Sequence, residues 1–264
     1  VLHTINPRLH PEQIAWIAND AEDKILFVDL TFVPLLEAVQ DQIKTVERYV
    51  IFCDAAHMPD TKLRNAVAYE EYIAGQSQDC VWGDFPETTP CGLCYTSGTT
   101  GNPKGVLYSH RSNVLHTFIT GMADALGVTV FDKVLPVVPM FHANAWGLTF
   151  TCPAVGAEMI MPGAQMDGAS IYELLTKYKV TMSAAVPTVW LMLLQHLEAN
   201  NLDLPDLDRV VIGGSAVPER ILRAFKEKFD VDTAHAWGMT ETSPLGTIGQ
   251  LIPEIVEQGW DKHV

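Results

Sequence analysis

Short apolar runs alternate with amphipathic stretches along almost the whole chain. Apolar runs of about four to eight residues bounded by turn residues predict buried strands, whereas apolar positions that repeat every 3.6 residues or so predict helices. The predicted strands are residues 24–29, 49–54, 92–96, 133–139, 158–161, 180–186, 209–213 and 233–237. The predicted helices are residues 11–20, 32–42, 111–126, 169–179, 188–200 and 218–229. Strands that alternate with helices in this way are typical of an α/β fold with a doubly wound, mostly parallel sheet.

Two prolines mark the starts of predicted helices, and one break in the pattern marks a boundary between subdomains. Pro11 and Pro218 each stand at the start of a predicted helix, where a residue has no intrahelical N–H bond to lose. The pattern restarts at residues 127–133, after a long predicted helix. We therefore expect two subdomains, residues 1–127 and residues 128–264.

Composition and charge exclude or disfavour several classes of protein. The chain has 264 residues, 48% hydrophobic and 19% charged, which suits a globular core and excludes disorder. Its 32 acidic and 17 basic residues give a net charge of −15, which disfavours binding to nucleic acid or anionic membranes. No apolar run reaches the roughly 18 residues of a transmembrane helix. The five cysteines have no framework spacing, so we expect a soluble protein of the reducing cytoplasm.

Residues 95–105 are the most informative stretch of the chain. They read Tyr95, Thr96, Ser97, Gly98, Thr99, Thr100, Gly101, Asn102, Pro103, Lys104 and Gly105. Glycines let main-chain N–H groups point inward, hydroxyls can donate to phosphate oxygens, and a lysine adds a mobile positive charge. The same composition also fits a solvated turn. It departs from the P-loop motif, because Lys104 is followed by Gly105 instead of a hydroxyl residue.

This stretch resembles, nearly letter for letter, the phosphate-binding motif of the adenylate-forming superfamily, which includes acyl-CoA synthetases, luciferases and peptide-synthetase adenylation domains. Four further segments resemble motifs of the same family in the same order. They are residues 4–9, 136–147, 213–218 and 235–242. The resemblance covers the whole chain and implies two αβαβα subdomains whose sheets share an active-site cleft.

The resemblance also implies roles for individual residues. For nucleotide binding these are Thr96, Ser97, Gly98, Thr99, Thr100, Gly101, Lys104, Gly213, Gly214, Ser215, His235, Ala236, Trp237, Gly238 and Thr240. For catalysis they are Lys104, His142, Thr240 and Glu241, and for the acyl substrate they are His142, Trp146, Val186 and Gly213. Thr96 and Glu241 would hold Mg²⁺, a hard cation that prefers oxygen ligands. Nucleotide is expected in a cleft between residues 96–104 and 213–241.

Most of these side chains have ordinary structural alternatives. Glu241 could be a solvated or helix-capping acid, and Trp237 a core aromatic instead of a platform for adenine. His142 could be a satisfied buried histidine, although it follows a strand end, where α/β sheets place ligands. Trp146, four residues later, is either plain packing or a gate over the acyl pocket. Surface or capping roles are expected for His110, Arg111 and His116.

The resemblance implies an AMP-forming acyl-CoA synthetase, with ATP, CoA and a small carboxylic acid as substrates. Thr233, Ala234 and Ala236 stand where amino-acid-activating domains carry an aspartate, which argues for a simple acyl substrate. Residues 4–9 and 143–147 resemble fatty-acid CoA ligases and equally 3-methylmercaptopropionate CoA ligases. Two alternatives stay open: a non-catalytic nucleotide-binding homologue, and an adenylating enzyme with a different acceptor. A homodimer is compatible with the resemblance.

The ends of the chain suggest a piece of a longer enzyme. The chain starts without methionine, and nothing after Glu241 matches the family's ribose-binding aspartate, its hinge or its C-terminal lysine. We therefore expect most of a large N-terminal domain without the C-terminal lid. Such a piece alone should be weakly active or inactive.

Overall fold

The computed structural model describes residues 1–96 and 101–259. The chain divides into two compact units, Val1–Leu107 and Tyr108–Val264. The sequence pattern places a division later, after residue 127. The two divisions differ because the helix His110–Gly121 packs against the helix Leu148–Val155 and so belongs with the second unit.

The first unit consists of short strands and helices. Its elements are β1 (Leu2–Thr4), α1 (Pro11–Asp20), β2 (Ile25–Val28), α2 (Val33–Val39), β3 (Arg48–Ile51), β4 (Ala66–Ala68), α3 (Tyr69–Ile73), β5 (Pro90–Thr96) and β6 (Lys104–Ser109), whose last two residues belong to the second unit. Strand β1 pairs in parallel with β5, and β2, β3 and β4 form a separate parallel sheet. Helices α1 and α2 cover this second sheet, with Ala18, Leu36 and Tyr49 buried between them.

Helix α1 illustrates how the sequence sets these bounds. Pro11 is its first residue, as predicted, because a first-turn residue needs no N–H donor. Its buried residues, Ile14, Ala15, Ile17 and Ala18, recur at helical spacing and face the core.

The second unit contains the larger sheet. Its elements are α4 (His110–Gly121), β7 (Lys133–Pro136), α5 (Ala143–Trp146), α6 (Leu148–Val155), β8 (Glu158–Met159), α7 (Gly168–Lys177), β9 (Met182–Ala185), α8 (Pro187–Asn200), β10 (Arg209–Ile212), α9 (Glu219–Arg223) with a π-helical continuation at Ala224–Lys228, β11 (Asp232–Gly238), β12 (Leu245–Ile248) and α10 (Pro253–Val256). Among the described residues the strand order is β12, β11, β10, β9, β7, β8, and only β12 runs antiparallel to its neighbour. Trp190, Leu193 and Phe225 fill the core on one face of this sheet.

The expected α/β fold with mostly parallel sheets is confirmed. Each predicted strand and helix overlaps an observed element, but the predicted ranges do not include β1, β4, β6, β12, α3, α5, α6 or α10. Most of these are short, so their patterns hold too few positions to show a period. None of the helices in the described part of the chain has the length and apolarity needed to cross a bilayer.

Asp132, immediately before β7, anchors the amino ends of three neighbouring strands. Its carboxylate accepts hydrogen bonds from Arg209 Nη2 at 2.9 Å, the Thr129 N–H at 2.8 Å and the Thr181 hydroxyl at 2.8 Å. Arg209 also donates hydrogen bonds to two main-chain carbonyls in the loop between α4 and β7. Burial alone would raise the pKa of Asp132, but the hydrogen bonds and the guanidinium charge lower it to about 2. The ionised carboxylate therefore ties β7, β9 and β10 together.

We predict that Asp132→Asn lowers the free energy of unfolding by about 2 kcal/mol, because Arg209 then loses its counter-charge in a mostly buried place. Urea denaturation at neutral pH measures this loss. The matched control is Glu158→Gln, which removes the exposed partner of Lys133 and should change the free energy by less than about 0.5 kcal/mol. Similar losses in the two variants would contradict the anchoring role.

Candidate active site

The carboxyl ends of four parallel strands of the second unit meet at one edge of its sheet. Strand β7 lies between β8 and β9, so the strand order reverses direction at β7. Open α/β sheets bind ligands at such a point, just beyond the strand ends. The segments that follow β7, β9, β10 and β11 carry His142, Val186, Gly213 and Thr240. Parallel pairing thus brings together residues that are far apart in the sequence.

A cavity of about 200 Å³ lies at this edge. Its lining includes eight residues predicted from the sequence: His142, Trp146, Gly213, Gly214, Ala236, Trp237, Gly238 and Thr240. The lining residues that were not predicted are Thr120, Leu126, Ala143, Leu148, Ala184, Val211, Met239, Pro244 and Leu245. Four predicted residues of the second unit lie outside this lining: Val186, Ser215, His235 and Glu241. The cavity is built entirely by the second unit.

The indole of Trp146 lies directly against the Gly213-Gly214 loop. A Cβ atom at Gly213 would lie 3.2 Å from Trp146 Cη2 and 2.9 Å from the Ala236 carbonyl oxygen. At Gly214, where φ is +82°, a side chain would be strained and its Cβ would lie 3.1 Å from Val186 Cγ1. Glycine at both positions therefore lets Trp146 form a wall of the cavity.

The residues between His142 and Gly147 form one left-handed helical turn, α5. The φ angles are 43° at Ala143, 56° at Asn144, 53° at Ala145 and 54° at Trp146. This conformation costs about 1–2 kcal/mol per residue for most L-amino acids, and less for asparagine. Burial of Ala145 and the packing of Trp146 on the glycine loop offset that strain. The local sequence, with two alanines in four residues, favours the right-handed form.

Ala145→Gly should change the free energy of unfolding by less than about 0.5 kcal/mol. The lost methyl burial, about 0.8 kcal/mol, and the greater freedom of unfolded glycine, about 0.5–1 kcal/mol, are balanced by relief of about 1–2 kcal/mol of strain. The matched control is Ala18→Gly, equally buried in the right-handed helix α1, which should lose about 1.5 kcal/mol. Urea denaturation compares the two variants, and equal losses would argue against the left-handed turn.

His116, on α4, is buried behind this turn. Its Nε2 accepts a hydrogen bond from the Leu245 N–H at 3.3 Å, and a Cβ atom at Gly147 would lie 2.5 Å from its Cε1. Burial lowers the pKa of His116 to about 4, so the ring is neutral at pH 7, as an acceptor nitrogen requires. The expectation of a surface or capping role for His116 is therefore wrong, because only 7% of the residue is exposed.

The neutral ring makes the stability of the fold depend on pH. As the pH falls from 6.5 to about 4, the unfolded chain takes up a proton at His116 and the folded chain does not. The free energy of unfolding should therefore fall by up to about 3 kcal/mol across this window and be unaffected by His116 above it.

His116→Gln should remove this part of the pH dependence, because a glutamine oxygen can still accept the Leu245 N–H without titrating. Urea denaturation at several pH values between about 4 and 7 measures the effect. The exposed residue His10 provides the control, since His10→Gln should keep the wild-type slope. An unchanged slope in His116→Gln would contradict the buried neutral ring.

Two of the structural alternatives are now excluded. His142 is exposed at the cavity, so it is not a satisfied buried histidine. Trp237 is 54% exposed and lines the cavity, so it is not a core aromatic. Each presents a ring to the space where a ligand would lie.

A short 3₁₀ turn, Thr240–Thr242, carries the residues predicted for phosphate and Mg²⁺. Thr240 lines the cavity, and the Tyr108 hydroxyl donates to its carbonyl oxygen at 2.6 Å. Glu241 is exposed and, within the part of the chain that the structure describes, makes no hydrogen bond or ion pair through its side chain. Its carboxylate oxygens are therefore available to a ligand.

Sequence comparison places this geometry in a family. The AMP-binding enzyme family matches residues 1–262. The chain belongs to the AMP-binding enzyme family.

Several characterised AMP-binding enzymes resemble the chain over most of its length. It is 48% identical over 250 residues to the 3-methylmercaptopropionyl-CoA ligase of Ruegeria pomeroyi, covering 95% of this chain and 46% of that protein. It is 44% identical over 264 residues to the medium-chain-fatty-acid–CoA ligase of Ectopseudomonas oleovorans, covering 100% of this chain and 48% of that protein. The chain thus spans about half the length of these relatives.

A solved structure of an AMP-binding enzyme has the same fold. The anthranilate CoA ligase AuaEII, in complex with anthranoyl-AMP, superposes with a TM-score of 0.84 at 25% identity, over 95% of this chain and 48% of that one. The adenylate-forming fold predicted from the sequence motifs is therefore confirmed.

The residues predicted to hold the phosphates of an AMP-binding enzyme belong to the first unit. Ser97, Gly98, Thr99 and Thr100 lie outside the described residues. The Thr96 hydroxyl donates to the Lys104 carbonyl at 3.5 Å, the Lys104 side chain is exposed, and Gly101 has a φ of 95°. The cleft between residues 96–104 and 213–241 remains a prediction, as does the magnesium site of Thr96 and Glu241.

Proposed function

We propose that the protein is an ATP-dependent carboxylic acid:CoA ligase that activates a fatty or short thioether acid as its acyl-adenylate and then forms acyl-CoA. The proposal includes Mg²⁺ as the cofactor and the cytoplasm as the location. The observation that supports it most directly is a cavity lined by both apolar and polar side chains at the carboxyl ends of four parallel strands.

The apolar and the polar side chains that line the cavity suit different parts of an acyl-adenylate. Leu126, Leu148 and Val211 offer apolar surface to an aliphatic tail. His142 and Thr240 offer polar groups at the same cavity, where the carboxylate and the phosphate would lie. A tail with a charged end group needs both kinds of surface, because burying an unpaired charge is unfavourable.

The proposed reaction has two steps. In the first, a carboxylate oxygen of the acid attacks the α-phosphorus of ATP, and pyrophosphate leaves. In the second, the CoA thiol attacks the acyl carbonyl, the thiol proton is lost, and AMP leaves. Neither step needs a covalent bond to the protein, so positioning and charge stabilisation would supply most of the rate enhancement.

The chain's own residues have distinct roles in this scheme. The exposed ring of His142 would orient the carboxylate at the cavity. The exposed ammonium group of Lys104 would neutralise charge on the leaving phosphates, together with the hydroxyls of residues 96–100. The loop Gly213-Gly214-Ser215 and the strand end His235–Gly238 would hold the adenine, with Trp237 as an apolar platform.

The proposed magnesium ligands are one hydroxyl and one carboxylate. Thr96 has a hydroxyl oxygen, and Glu241 has an exposed carboxylate without an ion-pair partner among the described residues. Mg²⁺ prefers such oxygen ligands and completes its shell with water and phosphate oxygens. When bound it would neutralise phosphate charge, while Glu241 and Thr96 hold it in place.

The size of the cavity supports a short or medium acid. Its volume of about 200 Å³ lies below the roughly 300–1,000 Å³ of pockets for drug-sized ligands. A tail that fills this volume would lie against Trp146, so a longer tail would require Trp146 to move. The two relatives described above are a 3-methylmercaptopropionyl-CoA ligase and a medium-chain-fatty-acid–CoA ligase, which act on short and medium acids.

We predict that the full-length protein releases pyrophosphate from ATP with aliphatic acids, and that kcat/KM rises with chain length until the tail fills the cavity. Each buried methylene contributes about 0.8 kcal/mol, or about fourfold in kcat/KM. Trp146→Ala should move the optimum to longer acids and leave the KM for ATP within about twofold. The exposed residue Trp82 provides the control, because Trp82→Ala should keep the wild-type acid profile.

The same measurements separate the alternatives. Absence of acid-dependent pyrophosphate release would support the non-catalytic homologue. Pyrophosphate release without formation of acyl-CoA would support a different acceptor. An unchanged acid profile in Trp146→Ala, with only a lower melting temperature, would make Trp146 a packing residue.

A further inference from the structure

Tyr108 is a buried residue that no sequence motif assigns to the site. It follows the stretch of residues 95–105, near the end of β6, and only 3% of it is exposed. Its hydroxyl donates to the main-chain carbonyl of Thr240 at 2.6 Å, which joins two residues 132 positions apart. A hydrogen bond of this length in a buried place is well made and is not exchanged readily for water.

The acceptor of this bond belongs to a short turn whose own side-chain hydrogen bonds are made by Thr242, at the other end from Thr240. Thr240–Thr242 is a single 3₁₀ turn, and such turns are weak without external contacts. Inside the turn, Thr242 Oγ1 accepts the Met239 N–H at 2.9 Å and lies within hydrogen-bond distance of the Met239 and Pro244 carbonyls. Beyond it, the Leu245 N–H is held by His116. Tyr108 is the anchor that contacts the turn at Thr240 itself.

We propose that Tyr108 is a positioning residue that fixes Thr240 and Glu241 for nucleotide and Mg²⁺. This inference rests on the proposed function. Tyr108 does not reach the reacting atoms in this scheme, because its hydroxyl is directed to the main chain of Thr240. It acts by holding the carbonyl of Thr240, so that the side chains of Thr240 and Glu241 keep one orientation. Phosphoryl transfer is sensitive to displacements of about 1 Å, which such a bond prevents.

Tyr108→Phe tests this role, because it removes the hydroxyl and keeps the ring. In the full-length protein without acid, the Mg²⁺ concentration for half-maximal binding of ATP, measured by isothermal titration calorimetry, should rise about three- to tenfold, the equivalent of one buried hydrogen bond. The Mg²⁺ concentration for half-maximal pyrophosphate release at saturating ATP should rise in step. The KM for the acid should stay within about twofold. Tyr49→Phe is the matched control: Tyr49 is a fully buried tyrosine in the core of the first unit, and its variant should leave the Mg²⁺ requirement unchanged.

Two further variants separate positioning from general stability. Thr242→Val loosens the same turn from within and should raise the Mg²⁺ requirement in the same way. In a Glu241→Gln background, Tyr108→Phe should add little further increase, because the carboxylate that it positions is gone. Thr242→Val keeps the proposal testable even where Tyr108→Phe yields little folded protein.

The outcomes distinguish this inference from the proposed function. An active wild-type protein whose Tyr108→Phe variant has the wild-type Mg²⁺ requirement, or only a lower melting temperature, overturns the positioning role alone. Additive effects of Tyr108→Phe and Glu241→Gln overturn it as well. A wild-type protein that releases no pyrophosphate with any acid overturns the proposed function and this inference together.

Discussion

The ion pair between Asp132 and Arg209 holds the amino ends of the strands on which the cavity depends. Asp132 precedes β7, Thr181 precedes β9 and Arg209 begins β10, and a single carboxylate contacts all three. Each strand is only four residues long, so a fixed start also fixes its end, about 13 Å away. A slip of one residue at the amino end would turn every side chain at the cavity to the other face.

Local patterns in the sequence were sufficient to predict the fold class. A few neighbouring residues are enough to recognise the apolar runs of β7, β9 and β10. The same holds for prolines that begin a helix, such as Pro11. Strand β12 was not predicted, because Leu245–Ile248 alternates weakly and is a strand only through its antiparallel pairing with β11. The left-handed turn α5 was not predictable either. Its four residues favour the right-handed helix locally, and tertiary contacts of Trp146 determine the hand.

The residues of the candidate site also fall into two groups: those that a sequence motif predicts and those that only the folded structure brings to the cavity. Motif resemblance singled out eight residues that line the cavity: His142, Trp146, Gly213, Gly214, Ala236, Trp237, Gly238 and Thr240. Thr120, Leu148, His116 and Tyr108 were missed, because they look like ordinary helix and strand residues and act through contacts distant in sequence. One signal was available: His116 and Thr120 are polar, lie four residues apart on α4, and so share one face of that helix.

The left-handed turn also restricts how this part of the chain can vary in evolution. Loops at active sites usually tolerate insertions and deletions. Here the strain grows with every residue added in the left-handed conformation, and a shorter turn would draw Trp146 off the Gly213-Gly214 loop. The distance in sequence from His142 to Gly147 is therefore fixed. If the protein is the proposed ligase, new acid preferences would arise through the size of side chains that line the cavity and not through the length of the loop.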